Sequence, residues 1–520
     1  MSLFNLLGAG ASHTLNISGV MPEIFMLSMI IIVMLADLFL GNSSSKVSPK
    51  NTTGIAYILT QVTLAITMLL WVLSSLSSLS SLSGVDLNTA GLISFYGNVV
   101  QDPLAIVLNF SLCLAGFLAF WYGRAYNHEH HIAEGEFYVL GLLSILGGMV
   151  LVSAASLLTL YLGLELLSLP LYAMIAMRRD AIHSVEAAMK YFVMGAIGSG
   201  FLLYGFSLVY GLTGELQLSL IAEHIASAYQ HLSGNLSGNL FNPVFMIAVM
   251  FILAAIAFKF GAVPFHGWVP DVYQGSPTSV TTFLATVPKL AAIALFFRIF
   301  SETLSEWHLE WGHVLMILGV ISMFIGNILA IAQHNLKRLL GYSAIAHIGF
   351  LFLALSLGNI DGNRAALFYI LTYALTTAGA FGLMLMMARR GVEADTLEDI
   401  KGLNKNHSWM AFMMLIIFLS MAGIPPLVGF DAKLFVLKAL LNSHHLNLMI
   451  YALIMSVIAA GYYLKVIKAM YFEDSSIGLK FGPDFSMKNA TGVLVSVNSL
   501  AVLALGLFPS GLYMLCAGVF

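Results

Sequence analysis

Apolar runs of about 20 residues recur along the chain, each long enough to cross a hydrocarbon layer ~30 Å thick as a helix. They fall near 20–40, 54–75, 103–123, 136–153, 156–177, 188–211, 243–265, 274–300, 311–333, 338–358, 364–388, 408–442, 447–472 and 490–515. Lipid leaves a backbone only helix bundles or closed barrels, and these runs lack the alternation of barrel strands. The pattern predicts an all-α polytopic membrane protein with fourteen spans. The run 408–442 is too long for one simple span and holds Gly423, Pro425, Pro426 and Gly429, which predicts one broken helix. The serine–leucine run 74–83 reads as a helix end plus loop, and 212–242 as a long loop.

Composition agrees with this reading. Of 520 residues 59% are hydrophobic and 9% charged, a balance no soluble fold of this length needs. The formal net charge of −3 gives no sign of nucleic-acid binding, so the lipid bilayer is the expected surrounding partner. Cys113 and Cys516 lie far apart in apolar stretches without CxxC spacing, which gives disulfide, zinc or iron–sulfur readings little support. No basic region precedes the first apolar run, so it reads as a retained helix rather than a cleavable signal.

Charge placement provides an independent check on the count. Lys46 and Lys50 fall in loop 1–2, Arg124 in 3–4, Arg178 and Arg179 in 5–6, and Lys337 and Arg338 in 9–10. Arg389, Arg390, Lys401 and Lys405 fall in loop 11–12, and Lys480 and Lys488 in 13–14. The alternate loops hold essentially Arg364, with Arg298 at a helix end. The positive-inside rule then places odd-to-even loops in the cytoplasm and both termini on the outer side of the membrane.

Lys190, Lys259, Lys289, Lys433, Lys438, Lys465 and Lys468 remain within spans or at their ends. Lys465 and Lys468, and Lys438 on the other side, can snorkel to an interface. Lys259, Lys289 and Lys433 lie deep, with Glu165 in span 5. A charge at the bilayer centre costs roughly 2.5–3.5 kcal/mol on insertion scales, so such residues face a cavity or a partner and point to an ion or proton path.

Glu165 and Lys259 can form a coupled titrating pair between spans; the plainer reading is an ion pair that fixes helix register. Lys259 precedes Gly261, Pro264, His266 and Pro270, so span 7 is expected to break there, as transporter helices do around a binding site. The competing reading is a proline kink with a snorkelling lysine. Span 12 repeats the design, with its Gly/Pro stretch followed by Lys433. An offset of five spans inverts membrane orientation, so spans 4–8 and 9–13 are expected to be inverted repeats. The resulting units are 1–125, 126–300, 301–475 and 476–520.

Lys289 follows Pro288 in span 8, between the two breaks. His347 in span 10, near Tyr342 and Ser343, can donate at one nitrogen and accept at the other, as a relay needs. A histidine among apolar residues is otherwise a satisfied packing group. His128-Glu129-His130-His131 resembles metal chemistry but lies in polar loop 3–4 without a second ligand cluster, so it reads as a solvated loop. Gly8-Ala9-Gly10-Ala11-Ser12 is too short and badly placed for a dinucleotide loop.

The stretch 258–274, FKFGAVPFHGWVPDVYQ, with Ser276-Pro277-Thr278 and Ala285-Thr286-Val287-Pro288-Lys289, resembles the antiporter-like subunits of respiratory complex I. HNLKRLLGYSAIAHIGF at 334–350 and GIPPLVGFDAKLFVLK at 423–438 extend the resemblance over roughly 100–475. It implies fourteen helices in two inverted five-helix repeats. It also implies proton translocation coupled to electron transfer from NADH to quinone. Glu165 and Lys259 become the input pair, Lys289 the connector and Lys433 the output lysine, with His266, Tyr342 and His347 as candidate relays. Lysine at 433 fits two of the family's three antiporter-like groups, and the absence of a long lateral helix after span 14 selects one of these.

The resemblance further implies an antiporter-like neighbour, subunit M, and the small subunits K and J. NADH, FMN, iron–sulfur clusters and quinone would sit in or near other subunits, with no cofactor or metal bound here. A multi-subunit cation/proton antiporter shares the motifs and is the alternative, as is a structural assembly subunit without its own proton path. A membrane transferase lacks the paired loop acids or His–Asp motif it would need.

Overall fold

The structure, a computed structural model, describes residues 17–40, 54–81, 92–232, 243–388, 393–474, 487 and 489–520. Among these, thirteen helices are long and apolar enough to cross a membrane. Ser408–Ala422 and Val428–Asn442 together make the broken twelfth span and bring the bundle to fourteen. Lys46, Lys50, Arg389, Arg390, Lys480, Lys488 and the stretch 8–12 lie outside the described residues.

Polar caps start several spans at the expected places. Asp102 accepts from the Ala105 amide at 2.8 Å ahead of span 3 (Pro103–Glu129), and Pro103 occupies the first turn. Ser156 caps span 5 (Leu157–Ile175), Asn335 caps span 10 (Leu336–Leu355) and Asn359 caps span 11 (Ile360–Met387). Span 6 (Ile182–Thr213) ends at Gly214, whose φ of +72° suits a residue without Cβ.

Three sequence expectations need correction. Span 2 (Ile55–Ser81) continues as helix through most of the serine–leucine run, and its first serines satisfy their hydroxyls on preceding carbonyls: Ser74 on Trp71 and Ser75 on Val72. Within 212–242 lies an amphipathic helix, Leu218–Leu232, with Leu218, Ile221 and Ile225 buried on one face. Arg124 lies inside span 3 (Pro103–Glu129), and Lys337 and Arg338 in the first turn of span 10, none of them in a loop; Lys337 is only 1% exposed.

Small residues set the closest helix crossings. A Cβ on Gly147 of span 4 (Glu134–Val152) would lie 2.2 Å from the Leu167 amide nitrogen, and one on Gly163 2.6 Å from that of Leu151. Span 9 (His308–Ile331) meets span 10 the same way, with Gly326 against Ala346 and Gly349 against Met323. Without a hydrophobic drive between helices in lipid, such backbone approach is what packs them.

Contacts divide the loops between two faces. On one face Glu393 of loop 11–12 meets Tyr126 at the end of span 3, Arg178 of loop 5–6, Thr278 at the start of span 8 and Lys337 of span 10. On the other, Arg298 near the end of span 8 forks onto Asp102 with bonds of 2.6 and 2.8 Å and also binds Glu302. Arg364, at the start of span 11, there meets carbonyls of Ala517 and Phe520. This is the alternation the span count requires. Enclosure is greatest in the middle of the bundle: 94% of the apolar window of span 8 is buried, 83% in spans 10 and 11, but 28% in span 1.

Candidate functional site

Span 7 runs as Pro243–Phe260, breaks, and resumes as Trp268–Gly275. Gly261 takes φ +77°, where an added Cβ would lie 2.3 Å from Val269, and Pro264 removes a donor in the gap. The freed groups find partners: Trp268 donates its indole N–H to the Phe258 carbonyl at 3.1 Å, and the Val263 amide donates to Ser322 of span 9 at 3.0 Å. Span 12 breaks likewise after Gly423, at φ +83°.

Lys259 ends the first half of span 7 and is 8% exposed. Its ammonium donates to the Ser168 hydroxyl of span 5 at 2.9 Å. It makes no ion pair with Glu165, although the two were expected to touch. Ser168 lies three residues beyond Glu165, on the same helix face one turn along, and takes the lysine instead. Glu165 is partly exposed, and its Oε1 is buried without a hydrogen-bond partner.

Lys289 lies in the second half of span 8, which is divided into Thr278–Leu284 and Val287–Phe296 before a π-helical end, Phe297–Thr303. It is 2% exposed and donates to the Tyr373 hydroxyl of span 11 at 2.8 Å. Its ammonium also sits 4.7 Å from the Tyr373 ring centre and 5.8 Å from that of Tyr273.

His347 stands between two phenols. Its Nδ1 lies 2.6 Å from the Tyr369 hydroxyl and its Nε2 3.0 Å from that of Tyr463 in span 13 (Leu446–Phe472), which also bonds Ser343. A neutral imidazole accepts at one nitrogen and donates at the other, so this setting serves either tautomer.

Lys433, 5% exposed, donates to the Ala422 carbonyl freed by the span 12 break at 2.8 Å and to Ser456 at 3.1 Å.

Two small cavities flank His347, one toward Tyr373 and one toward Lys433. One, with about 20 Å³ open to water centres, is lined by Tyr373, His347, Tyr369, Thr376 and Ser420. The other, about 10 Å³, is lined by His347, Lys433, Asn327 and Tyr462. Roughly 10–15 Å³ of such space holds a water given polar partners, so the first accommodates one and the second is at the threshold. Lys289, His347 and Lys433 are thus brought together, with Tyr373 between the first two.

The remaining candidates are placed elsewhere. No hydrogen bond among the described residues joins Lys259 to Lys289, or His266 to either; His266 Nδ1 is buried and unpartnered. Tyr342 lies beneath Arg338, whose guanidinium is 6.0 Å from its ring centre. Five residues of helix turn it away from His347, whereas Ser343, four residues off, shares the histidine's face. His128 and Glu129 end span 3 as helix, and His130 turns back onto the Tyr126 carbonyl.

A fourteen-span bundle with two broken helices and a buried run of lysine, tyrosine and histidine defines a class of polytopic membrane proteins with ionisable groups enclosed in their interior. Residues 154–459 match the family described as NADH:quinone oxidoreductase/Mrp antiporter, TM. The chain is 43% identical over 502 residues to the NADH-quinone oxidoreductase subunit N of Coxiella burnetii, covering 96% of this chain and 98% of the relative. It is 42% identical to subunit N of Thioalkalivibrio sulfidiphilus over 96% and 97% of the two chains.

Among solved structures, a chain of respiratory complex I from Thermus thermophilus with bound aureothin superposes with a TM-score of 0.73 at 30% identity, over 96% of this chain and all of that one. A chain of the Mrp complex from Dietzia sp. has a TM-score of 0.77 at 18% identity, over 97% of each, and so shares the fold. The chain belongs to the NADH:quinone oxidoreductase/Mrp antiporter family and, within it, to the subunit N group of NADH-quinone oxidoreductases.

Proposed function

We propose that this chain carries protons across the membrane within an NADH–quinone oxidoreductase, using Glu165, Lys259, Lys289, His347 and Lys433. The observation that carries the reading is the buried succession Lys289–Tyr373–cavity–His347–cavity–Lys433 between the two broken helices. Every member bears an exchangeable proton, and the cavity beside Tyr373 has room for a bridging water. Glu165 and Lys259 are the input side in this reading, and His266 lies off the central run.

Moving one charge against 100 mV costs about 2.3 kcal/mol, so a passive wire cannot pump. The energy is supplied by electron transfer from NADH to quinone at FMN and iron–sulfur centres of other subunits. The membrane neighbours are subunits M, K and J. The face that gathers Arg178, Lys337 and Glu393 is the cytoplasmic one, with both termini on the outer side. The division into units 126–300 and 301–475 draws support from the matched glycine crossings of spans 4–5 and 9–10 and from the breaks five spans apart.

The test is proton uptake by membrane vesicles containing the assembled complex. Lys259→Ala and Lys433→Ala are each expected to reduce NADH-driven pumping at least tenfold per assembled complex. Normal pumping in both would refute the proton path. Sodium- or potassium-dependent exchange without NADH would assign cation antiport instead.

A further inference from the structure

Lys259 makes its hydrogen bond to a neutral group, although a carboxylate lies one helical turn away on the same face of span 5. The Ser168 hydroxyl gives its only proton to the Leu164 carbonyl at 2.6 Å, so toward Lys259 it presents lone pairs alone. It is held still. Ser168 is 1% exposed, Ser144 of span 4 donates to the adjacent Leu167 carbonyl at 2.8 Å, and the glycine contacts of spans 4 and 5 fix the backbone just before it. Glu165 has the opposite character: partly exposed, with one buried oxygen that has no hydrogen-bond partner. A rigid hydroxyl acceptor and a carboxyl oxygen without a partner thus lie along one face, near a lysine on a flexible four-carbon stem.

We propose that Ser168 is a positioning residue that docks the Lys259 ammonium away from Glu165, so that the lysine alternates between serine and carboxylate during each cycle. The inference rests on the proton-path reading of Lys259. It adds a second, uncharged position for the lysine and names the residue that creates it. On Glu165 the ammonium faces a full opposite charge, and on Ser168 only a hydroxyl dipole. The step between them changes how firmly the proton is held. Loss of the serine leaves Lys259 with Glu165 as its remaining partner and removes the second position.

The experiment compares initial NADH-driven pumping per assembled complex in vesicles carrying Ser168→Ala, Ser168→Thr, Glu165→Gln and the Ser168→Ala/Glu165→Gln pair. Ser168→Ala is expected to slow pumping roughly tenfold, the scale of one hydrogen bond to a charged group. Ser168→Thr keeps a hydroxyl able to back-bond to Leu164 and should restore most of the rate. The double variant should be no slower than the worse single one, because both changes act on one lysine.

Normal pumping in Ser168→Ala while Lys259→Ala is inactive overturns the docking role and leaves the proton path standing. A threonine variant that assembles but is as slow as alanine overturns it as well, since the defect then follows packing. If threonine prevents assembly, fully multiplicative losses in the double variant refute it. Normal pumping in Lys259→Ala would instead remove Lys259 from the path, the reading on which the docking role rests.

Discussion

Glu393 ties together the ends of spans from both halves of the chain, and its replacement by alanine shows how much that junction holds. One carboxylate oxygen accepts from Tyr126 at 2.6 Å and from Arg178; the other accepts from Thr278 at 2.6 Å and faces the Lys337 ammonium at 3.5 Å. Burial favours the neutral acid. The charge of Lys337, the hydrogen bonds from Thr278 and Tyr126 and the charge of Arg178 outweigh it and bring the carboxyl from 4.5 down to about 2. At 1.36 kcal/mol per unit the junction is worth about 3 kcal/mol. Removing one partner of a buried pair costs roughly 3–5 kcal/mol, and Asp395 at 4.0 Å from Lys337 keeps this case at the low end.

Because the folded value lies below the unfolded one, the contribution is complete above pH ~4.5 and is lost as pH falls through about 2. Hydrogen–deuterium exchange over 276–284 reads it directly, since the Thr278 amide donates to Tyr126, itself held by Glu393. At pH 7 Glu393→Ala should exchange about a hundredfold faster there, as 1.4 kcal/mol is tenfold. The difference from wild type should shrink as the pH is lowered from 4.5 to 3. Unchanged exchange at pH 7, or a difference that does not shrink between pH 4.5 and 3, would refute the reasoning.

Tyr373→Phe removes the hydroxyl that accepts from Lys289 and borders the larger cavity. Pumping per assembled complex should fall roughly tenfold while the ring keeps the packing, and an unchanged rate would exclude the phenol from the path. Gly163→Ala places a methyl 2.6 Å from the Leu151 amide nitrogen, backbone that cannot yield without parting spans 4 and 5. Overpacking of this kind costs about 1–3 kcal/mol or more, so native gels should show less assembled complex. Gly200, whose Cβ would meet nothing within 4 Å, is the control and should assemble normally as alanine.

The spans were legible because lipid demands long uninterrupted apolar helices, and the breaks because Gly261, Pro264, Gly423 and Pro426 cannot continue one. Lys259, Lys289 and Lys433 were legible because a charge in such a run is costly. The phenols were not, since Tyr369, Tyr373 and Tyr463 pass for apolar residues in a hydropathy pattern. A signal was nevertheless present: Tyr369 and Tyr373 are four residues apart and share their stretch of span 11 with Thr372, Thr376 and Thr377. The same spacing rule favours Ser343 over Tyr342 as the neighbour of His347, and reveals the buried face of Leu218–Leu232. Glu393 carried no such signal, because a loop carboxylate shows nothing in sequence of the spans that converge on it.

Partner chemistry separates the middle of this bundle from its ends. At one face Lys337 and Arg178 are paired with Glu393, and Asp271 bridges Lys190 and Arg338; at the other, Arg298 is paired with Asp102 and Glu302. An ion pair in poorly hydrated surroundings locks both charges, because neutralising one strands the other. Among the described residues the three deep lysines have no carboxylate within ion-pair distance, and each is met by neutral oxygen: Ser168, Tyr373, or Ala422 with Ser456. A hydroxyl or carbonyl accepts from an amine whether or not the amine carries its extra proton, so losing that proton strands no opposite charge. The ends are therefore suited to hold the spans in register, and the middle to exchange protons. In the proposed cycle Glu165 is the acid that crosses this division, and Ser168 is what takes Lys259 from it.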